Sequence, residues 1–139
     1  MPAVELAAIR ALADQGNLAA AQEAARAAMR HHPLSVELWY LLAFLALADG
    51  KANDAVASLR RLIYIDPGLA AAHMLLGAVL KDKGEAPAAR RAFETAFALC
   101  AGRPEQEKVP LLDGETCGHL AQIARRQLEQ IPPSGGAAS

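Results

Sequence analysis

The side chains most able to do chemistry in this 139-residue chain are four histidines and two cysteines. His31 and His32 are adjacent, so on a helix their rings point about 100° apart and rarely chelate one metal ion together. At a helix C-terminus they would instead offset the partial negative charge there. Cys117 and His119 resemble a Cys/His pair, but nothing supplies an orienting group or an oxyanion site. We therefore predict no catalytic residue, no metal site and no cofactor, and expect Cys100 and Cys117 to remain thiols.

Adjacent arginines occur three times, at positions 60–61, 90–91 and 125–126. A basic stripe of this kind could meet an acidic partner or a phosphorylated regulator. The alternative is plain solvent exposure with local ion pairing. The carboxylates available for such pairing are Glu85, Glu94 and Glu129. A net charge of −1 gives no nucleic-acid footprint.

The composition favours helix, and the sequence is typical of a cytoplasmic protein. Hydrophobic residues make up 53% of the chain, much of it alanine, and aromatic residues only 4%. Alanine loses no side-chain entropy in a helix. Residues 1–5 lack the charged start and apolar run of a signal peptide, and the apolar stretch 38–48 is about half a membrane span. We predict a cytoplasmic protein without a membrane or nucleic-acid partner, and a disordered tail at 132–139.

The elements that position these residues repeat with a fixed period. Glycines 16, 50 and 84 are spaced by 34 residues, as are prolines 33 and 67 and alanines 21, 55 and 89. A fixed period of this length indicates one helix-turn-helix unit copied along the chain. Glycine ends the first helix of each unit because the turn needs a positive φ, and proline stops the chain from continuing as helix after the second.

The chain resembles a tetratricopeptide repeat protein from Ala3 to Ala101. The matching packing slots are Trp39, Leu42, Ala55, Leu59, Leu62 and Pro67 in the second unit, and Leu76, Gly77, Ala89, Phe93 and Ala96 in the third. Glu5 departs from the pattern, since a large apolar residue is usual there. The resemblance implies an all-α, right-handed solenoid with repeats at about 2–34, 36–68 and 70–102. After a connector at 102–115 we predict a capping helix at 116–131, which closes a single domain over 1–131.

A second resemblance rests on the segment Asp-Gly-x-Thr-x-Gly-x-Leu after the connector. Its residues are Asp113, Gly114, Thr116, Gly118 and Leu120. Together with residues 64–67 and 72–77, it is similar to the C-terminal repeat region of CheR-type chemoreceptor methyltransferases. In that family a preceding catalytic domain methylates receptor glutamates with S-adenosylmethionine. No strand-helix alternation or Gly-rich phosphate loop occurs here, so the resemblance implies a regulatory module without its own methyltransferase activity.

The first helices of the units are expected to line a concave groove that binds a protein or peptide. The predicted groove residues are Leu6, Arg10, Glu37, Tyr40, Leu41, Phe44, Met74, Lys81 and Asp82. Phe44 and Leu41 could belong either to the groove or to the core, whereas Tyr40 is expected to be exposed. A clamp for a C-terminal carboxylate, as in chaperone-binding repeats, is rejected because Arg10 is the one polar residue in its five slots.

We therefore expect a protein-interaction module rather than an enzyme. The main hypothesis is the regulatory repeat domain of a chemoreceptor methyltransferase, with a chemoreceptor, a response regulator or the parent catalytic domain as partner. The alternative is a stand-alone adaptor in bacterial secretion or envelope assembly. Two rivals stay open: an enzyme that uses Cys117 and His119, and a homodimer whose groove is filled by its own copy.

Overall fold

The computed structural model describes residues 1–131, and the tail predicted to be disordered, 132–139, lies outside them. The chain is all-α, as predicted, with three helix pairs and a final helix. The helices are α1 (Ala3–Asp14), α2 (Leu18–His31), α3 (Val36–Ala48), α4 (Ala52–Ile65), α5 (Ala70–Asp82), α6 (Ala86–Ala101) and α7 (Cys117–Gln130). Over this range no helix combines the length and the apolar character needed to cross a membrane.

The turns within each pair explain why glycine recurs. Gly16, Gly50 and Gly84 have φ values of 81°, 71° and 79°, which an L side chain adopts only with strain. The N–H of each glycine donates to the carbonyl oxygen three residues earlier, and the N–H of the next residue donates to the carbonyl oxygen five residues earlier. These hydrogen bonds satisfy carbonyl groups that have no partner within the helix. Polar side chains cap α2 and α3: Asn17 accepts a hydrogen bond from the Ala20 amide and Ser35 accepts one from the Leu38 amide.

The chain divides into two compact units, Met1–Asp66 and Pro67–Ser139. The single-domain boundary and the repeat limits given above stay predictions. In the first unit, small residues on α2 allow α1 and α3 to pack closely. This core contains Leu6, Ile9, Ala21, Ala25, Ala28, Leu38, Leu41 and Leu45.

The second unit places α6 between α5 and α7. Helices α5 and α6 approach closely at Gly77, where a Cβ atom would lie 2.8 Å from Cε1 of Phe93. Helix α7 buries Leu120 and Ala124. Its C-terminal end is held by a cation, because Arg90 Nη1 donates to the carbonyl oxygens of Leu128 at 3.3 Å and Ile131 at 3.2 Å.

The Asp-Gly-x-Thr-x-Gly-x-Leu segment begins α7, and four of its residues have structural roles. Gly114 turns the chain with a φ of 76°. Thr116 caps the helix by accepting a hydrogen bond from the His119 amide. Gly118 donates its N–H to the Glu105 carbonyl at 2.9 Å, and a Cβ atom there would lie 3.0 Å from Cβ of Glu105. With Leu120 buried, helix capping and close packing account for these residue types without any partner.

Candidate protein-binding site

Helix α3 is apolar around almost its whole circumference, so it cannot bury every large side chain in one core. Leu38, Leu41 and Leu45 point into the first unit. Phe44 remains 45% exposed. Its ring lies edge-on to that of Tyr40, one helical turn earlier, with 5.0 Å between ring centroids and an angle of 77° between planes. The Tyr40–Phe44 pair is therefore a rigid apolar feature that reaches the surface.

Tyr40 was expected to be exposed, and that expectation is wrong. Its side chain is 9% exposed. Burial raises the pKa of the Tyr40 phenol to about 12, because the ionised form would lose its hydration. Tyr40 thus supports the Phe44 ring, and Phe44 is the member of the pair that a partner could contact over a substantial area.

The other predicted groove residues of the first unit separate into core and surface. Leu6 and Leu41 are core residues, because the buried stripes of α1 and α3 meet across the alanines of α2. Neither can line an open groove. Arg10 is exposed and Glu37 is half-buried. Of the predicted set in this unit, Phe44 and Arg10 therefore carry exposed surface.

In the second unit, Met74 is half-buried and Asp82 is exposed. Lys81 has a different environment from the one predicted. Its Nζ donates to Oε1 of Gln127 and of Gln130, each at 2.8 Å, so its ammonium group is engaged by α7. The spacing within α5 could not reveal this contact, because both glutamines lie more than forty residues further along the chain.

A polar concavity of about 160 Å³ in the first unit was missed by the sequence analysis. Its rim includes Gln22, Arg26, Asp49, Lys51 and Asp54. Hydrogen bonds from Gln22 and Lys51 and the positive charge of Lys51 lower the pKa of the Asp49 carboxyl. Charges of both signs alternate around this rim, so it favours no ligand of single charge. The one signal in the sequence was the acidic and basic pair on either side of Gly50.

Cys117 and His119 occupy different environments. Cys100 and Cys117 are both buried, whereas the His119 side chain is exposed and contacts the carboxylate of Glu115. Burial, followed by the neighbouring Cys117 thiol, raises the pKa of Cys100 to about 11. A thiol is nucleophilic as its thiolate, so this environment suppresses the reactivity of Cys100. Between residues 1 and 131, no group of three or more His, Cys, Asp and Glu could hold a metal ion.

We expect Cys100 in the folded Cys117→Ser variant to react with Ellman's reagent at pH 8 at least about tenfold more slowly than an ordinary thiol. The reason is that burial, the largest cause of the raised pKa of Cys100, remains after the Cys117 thiol is removed. The same variant in guanidinium chloride is the control and should react at the rate of a small-molecule thiol. Equal rates in the folded and unfolded protein would contradict the buried environment.

Residues 6–70 match the family model of the tetratricopeptide repeat. The helix pairs and the turn glycines described above are similar to those of this repeat. No curated protein matches its sequence.

Solved structures with the same fold include two bacterial proteins that were solved with a segment of another protein. SycD of Yersinia enterocolitica, a type III secretion chaperone solved with a peptide of the translocator YopD, has a TM-score of 0.75 and 17% identity, over 91% of this chain and 88% of that one. PcrH of Pseudomonas aeruginosa, solved with the chaperone binding region of PopD, has a TM-score of 0.75 and 18% identity, over 91% and 86%. The Sgt2 repeat domain of Aspergillus fumigatus has a TM-score of 0.67 and 16% identity, over 97% and 91%.

At these identities the similarity establishes the fold. The resemblance to chemoreceptor methyltransferases gains no support from these comparisons. Its most specific motif already has the structural roles described for the start of α7.

Proposed function

We propose that this chain is a protein-binding adaptor in bacterial secretion, which holds an apolar segment of another protein against α3 of the first unit. The observation that carries the proposal is the half-exposed Phe44 ring, held edge-on by Tyr40. A rigid aromatic side chain with one free face contributes contact area at low entropic cost, which is typical of anchor residues at interfaces. Arg10 and Glu37 would provide the polar rim.

The choice of secretion over chemoreceptor methylation rests on two supports. Two proteins of the same fold were solved with a segment of another protein, and one of them is a type III secretion chaperone. The motif that pointed to methyltransferases is explained by the capping and packing of α7. A TPR fold alone does not decide between these functions, so the choice of partner must come from experiment.

The test is a selection of 12-residue peptides from a random phage-displayed library, with binding measured for wild type, Phe44→Asp and Ala57→Asp. Ala57 is exposed on α4, so its change adds the same charge to the same unit away from the ring pair. We expect selected apolar peptides to lose at least about tenfold in affinity with Phe44→Asp, since the anchor becomes a charge that must be desolvated. Ala57→Asp should bind normally.

Peptides that bind Phe44→Asp as tightly as wild type would contradict the proposal. Light scattering across a concentration series measures the oligomeric state, and so it distinguishes binding of another protein from the homodimer hypothesis. If wild type is a dimer that Phe44→Asp dissociates without loss of helicity, then the α3 surface binds a second copy of the chain, and any other partner must compete with it.

A further inference from the structure

We propose that the first unit carries a second docking surface, which binds an acidic segment of a protein partner with an apolar side chain next to its carboxylates. This surface, the basic aromatic patch, consists of Leu34, Trp39, Arg60, Arg61 and Tyr64. It goes beyond the adaptor function proposed above. On α3, Trp39 and Phe44 are five residues apart and point about 140° from each other, so the two surfaces face different directions.

Two contacts of Trp39 and the helical spacing on α4 bring the residues of the patch together. Trp39 Nε1 donates to the carbonyl oxygen of Pro33 at 2.9 Å, which places the indole beside the turn that contains Leu34. The Arg61 guanidinium carbon lies 5.9 Å from the centroid of the Trp39 ring. Tyr64 follows Arg60 by four residues and Arg61 by three on α4, so its ring shares their side of the helix.

The exposure of the apolar members is unusual for this chain. Tyr64 is 84% exposed and Leu34 is 71% exposed. Tyr64 lies one helical turn from the two arginines, and Leu34 follows Pro33, whose carbonyl oxygen accepts the Trp39 hydrogen bond. Single exposed apolar side chains are common on protein surfaces and need no explanation. Two large ones that flank a tryptophan and a pair of arginines form a cluster, and such clusters mark interaction sites.

Among residues 1–131, neither arginine of the patch has an acidic partner. Arg90 and Arg103 each form an ion pair with a glutamate four residues later, Glu94 and Glu107. The corresponding positions after Arg60 and Arg61 are occupied by Tyr64 and Ile65 instead. Across the described range, 1–131, no carboxylate lies within ion-pairing distance of either guanidinium. Local pairing, which explains Arg90, therefore does not explain Arg60 and Arg61.

The geometry of Arg61 indicates which chemistry it would bind. A guanidinium over an indole ring keeps its charge and its N–H donors, while the contact restricts its orientation. A carboxylate is the natural ligand of such a planar fork. Tyr64 and Leu34 beside it offer apolar surface, and so the complementary segment carries Asp or Glu next to Leu, Phe or Trp.

Charge also argues for a protein partner over a polyanion. Two arginines on a chain of net charge −1 are too few for the phosphate contacts or anionic lipid attraction that normally sustain nucleic-acid or membrane binding. Residues 132–139 contain no Asp or Glu, so they cannot offer adjacent acidic side chains to the patch.

The test uses the same 12-residue displayed library, with binding measured for wild type, Arg60→Gln combined with Arg61→Gln, Tyr64→Ser, and the control Arg91→Gln. Arg91 is an exposed arginine on α6, so its change removes a charge of the same kind elsewhere. We expect one class of selected peptides to be rich in Asp and Glu beside Leu, Phe or Trp. Its affinity should fall at least about tenfold with the double change, and also with Tyr64→Ser, but not with Arg91→Gln.

Binding of this class should also weaken as salt rises from about 50 mM to 500 mM, since exposed charges are screened. Phe44→Asp should leave it unchanged, so failure of this proposal and failure of the adaptor proposal give different results. The proposal is overturned if no acidic class is selected, or if Arg91→Gln weakens binding as much as the double change. It is also overturned if the patch variants instead abolish binding to phosphatidylserine vesicles, which would assign the patch to a membrane.

Discussion

Gly77→Ala is expected to destabilise the protein by about 2–3 kcal/mol, which is the size typical of an overpacked core. The new Cβ atom would lie 2.8 Å from Cε1 and 2.9 Å from Cδ1 and Cζ of Phe93. Phe93 is among the most deeply buried side chains, so its ring cannot turn outward to make room. Helix α5 and helix α6 would have to separate, or the ring would have to leave its rotamer.

Helix propensity and core packing predict opposite effects of Gly77→Ala on stability. On intrinsic propensity alone, alanine in a helix interior is favoured over glycine by about 1 kcal/mol. Gly102→Ala is the matched control, because the nearest atom to its Cβ would be the Ala98 carbonyl oxygen at an ordinary 3.6 Å. Urea unfolding followed by circular dichroism should show a lower midpoint for Gly77→Ala and little change for Gly102→Ala. Combining Gly77→Ala with Phe93→Leu should recover part of the loss, and a Gly77→Ala variant as stable as wild type would refute the close approach.

Leu120→Ala is expected to lower the free energy of unfolding by about 3 kcal/mol, within the usual range for a buried leucine. Leu120 is one of three buried residues of α7, and the helix packs onto α6. The cavity left behind would remove apolar contacts that the hydrogen bonds at the C-terminal end of α7 do not replace. Docking of α7 should weaken most, since it has few other buried side chains.

The matched control for Leu120→Ala is Gln122→Ala, which changes an exposed residue of the same helix. Limited proteolysis should cleave between residues 102 and 116 faster in Leu120→Ala, with Gln122→Ala cut at the wild-type rate. Chemical denaturation gives the free energy. A loss below about 1 kcal/mol would mean that α7 does not depend on this side chain for docking.

The helix pattern could be predicted because its causes are local. A positive φ requires glycine at 16, 50 and 84, and a short polar side chain before a helix accepts its first free amide, as Asn17 and Ser35 do. The regular spacing of these signals predicts the all-α fold class, and this prediction requires no long-range contact. The motif from Asp113 to Leu120 was equally visible, but its roles at the start of α7 appear when Gly118 meets Glu105.

The candidate site was less predictable, because a helix that is apolar all round does not say which side is buried. Helical projection placed Leu41, Tyr40 and Phe44 together, but it could not place Leu41 in the core or leave Phe44 exposed. Lys81 was predicted to line the groove, but its ammonium group donates to Gln127 and Gln130 of α7. Each of these outcomes depends on a neighbour that is distant in sequence.

The sequence by itself determined the all-α class, the turn positions and the small residues that let helices approach, since these follow from backbone conformation and side-chain volume within one repeat. The tertiary structure alone decided which ring of the Tyr40–Phe44 pair stays at the surface and which cations contact α7. It also decided that, within residues 1–131, no carboxylate pairs with Arg60 or Arg61. The physical reason is that exposure and charge pairing depend on which helices meet, and helix packing joins residues that no local pattern connects.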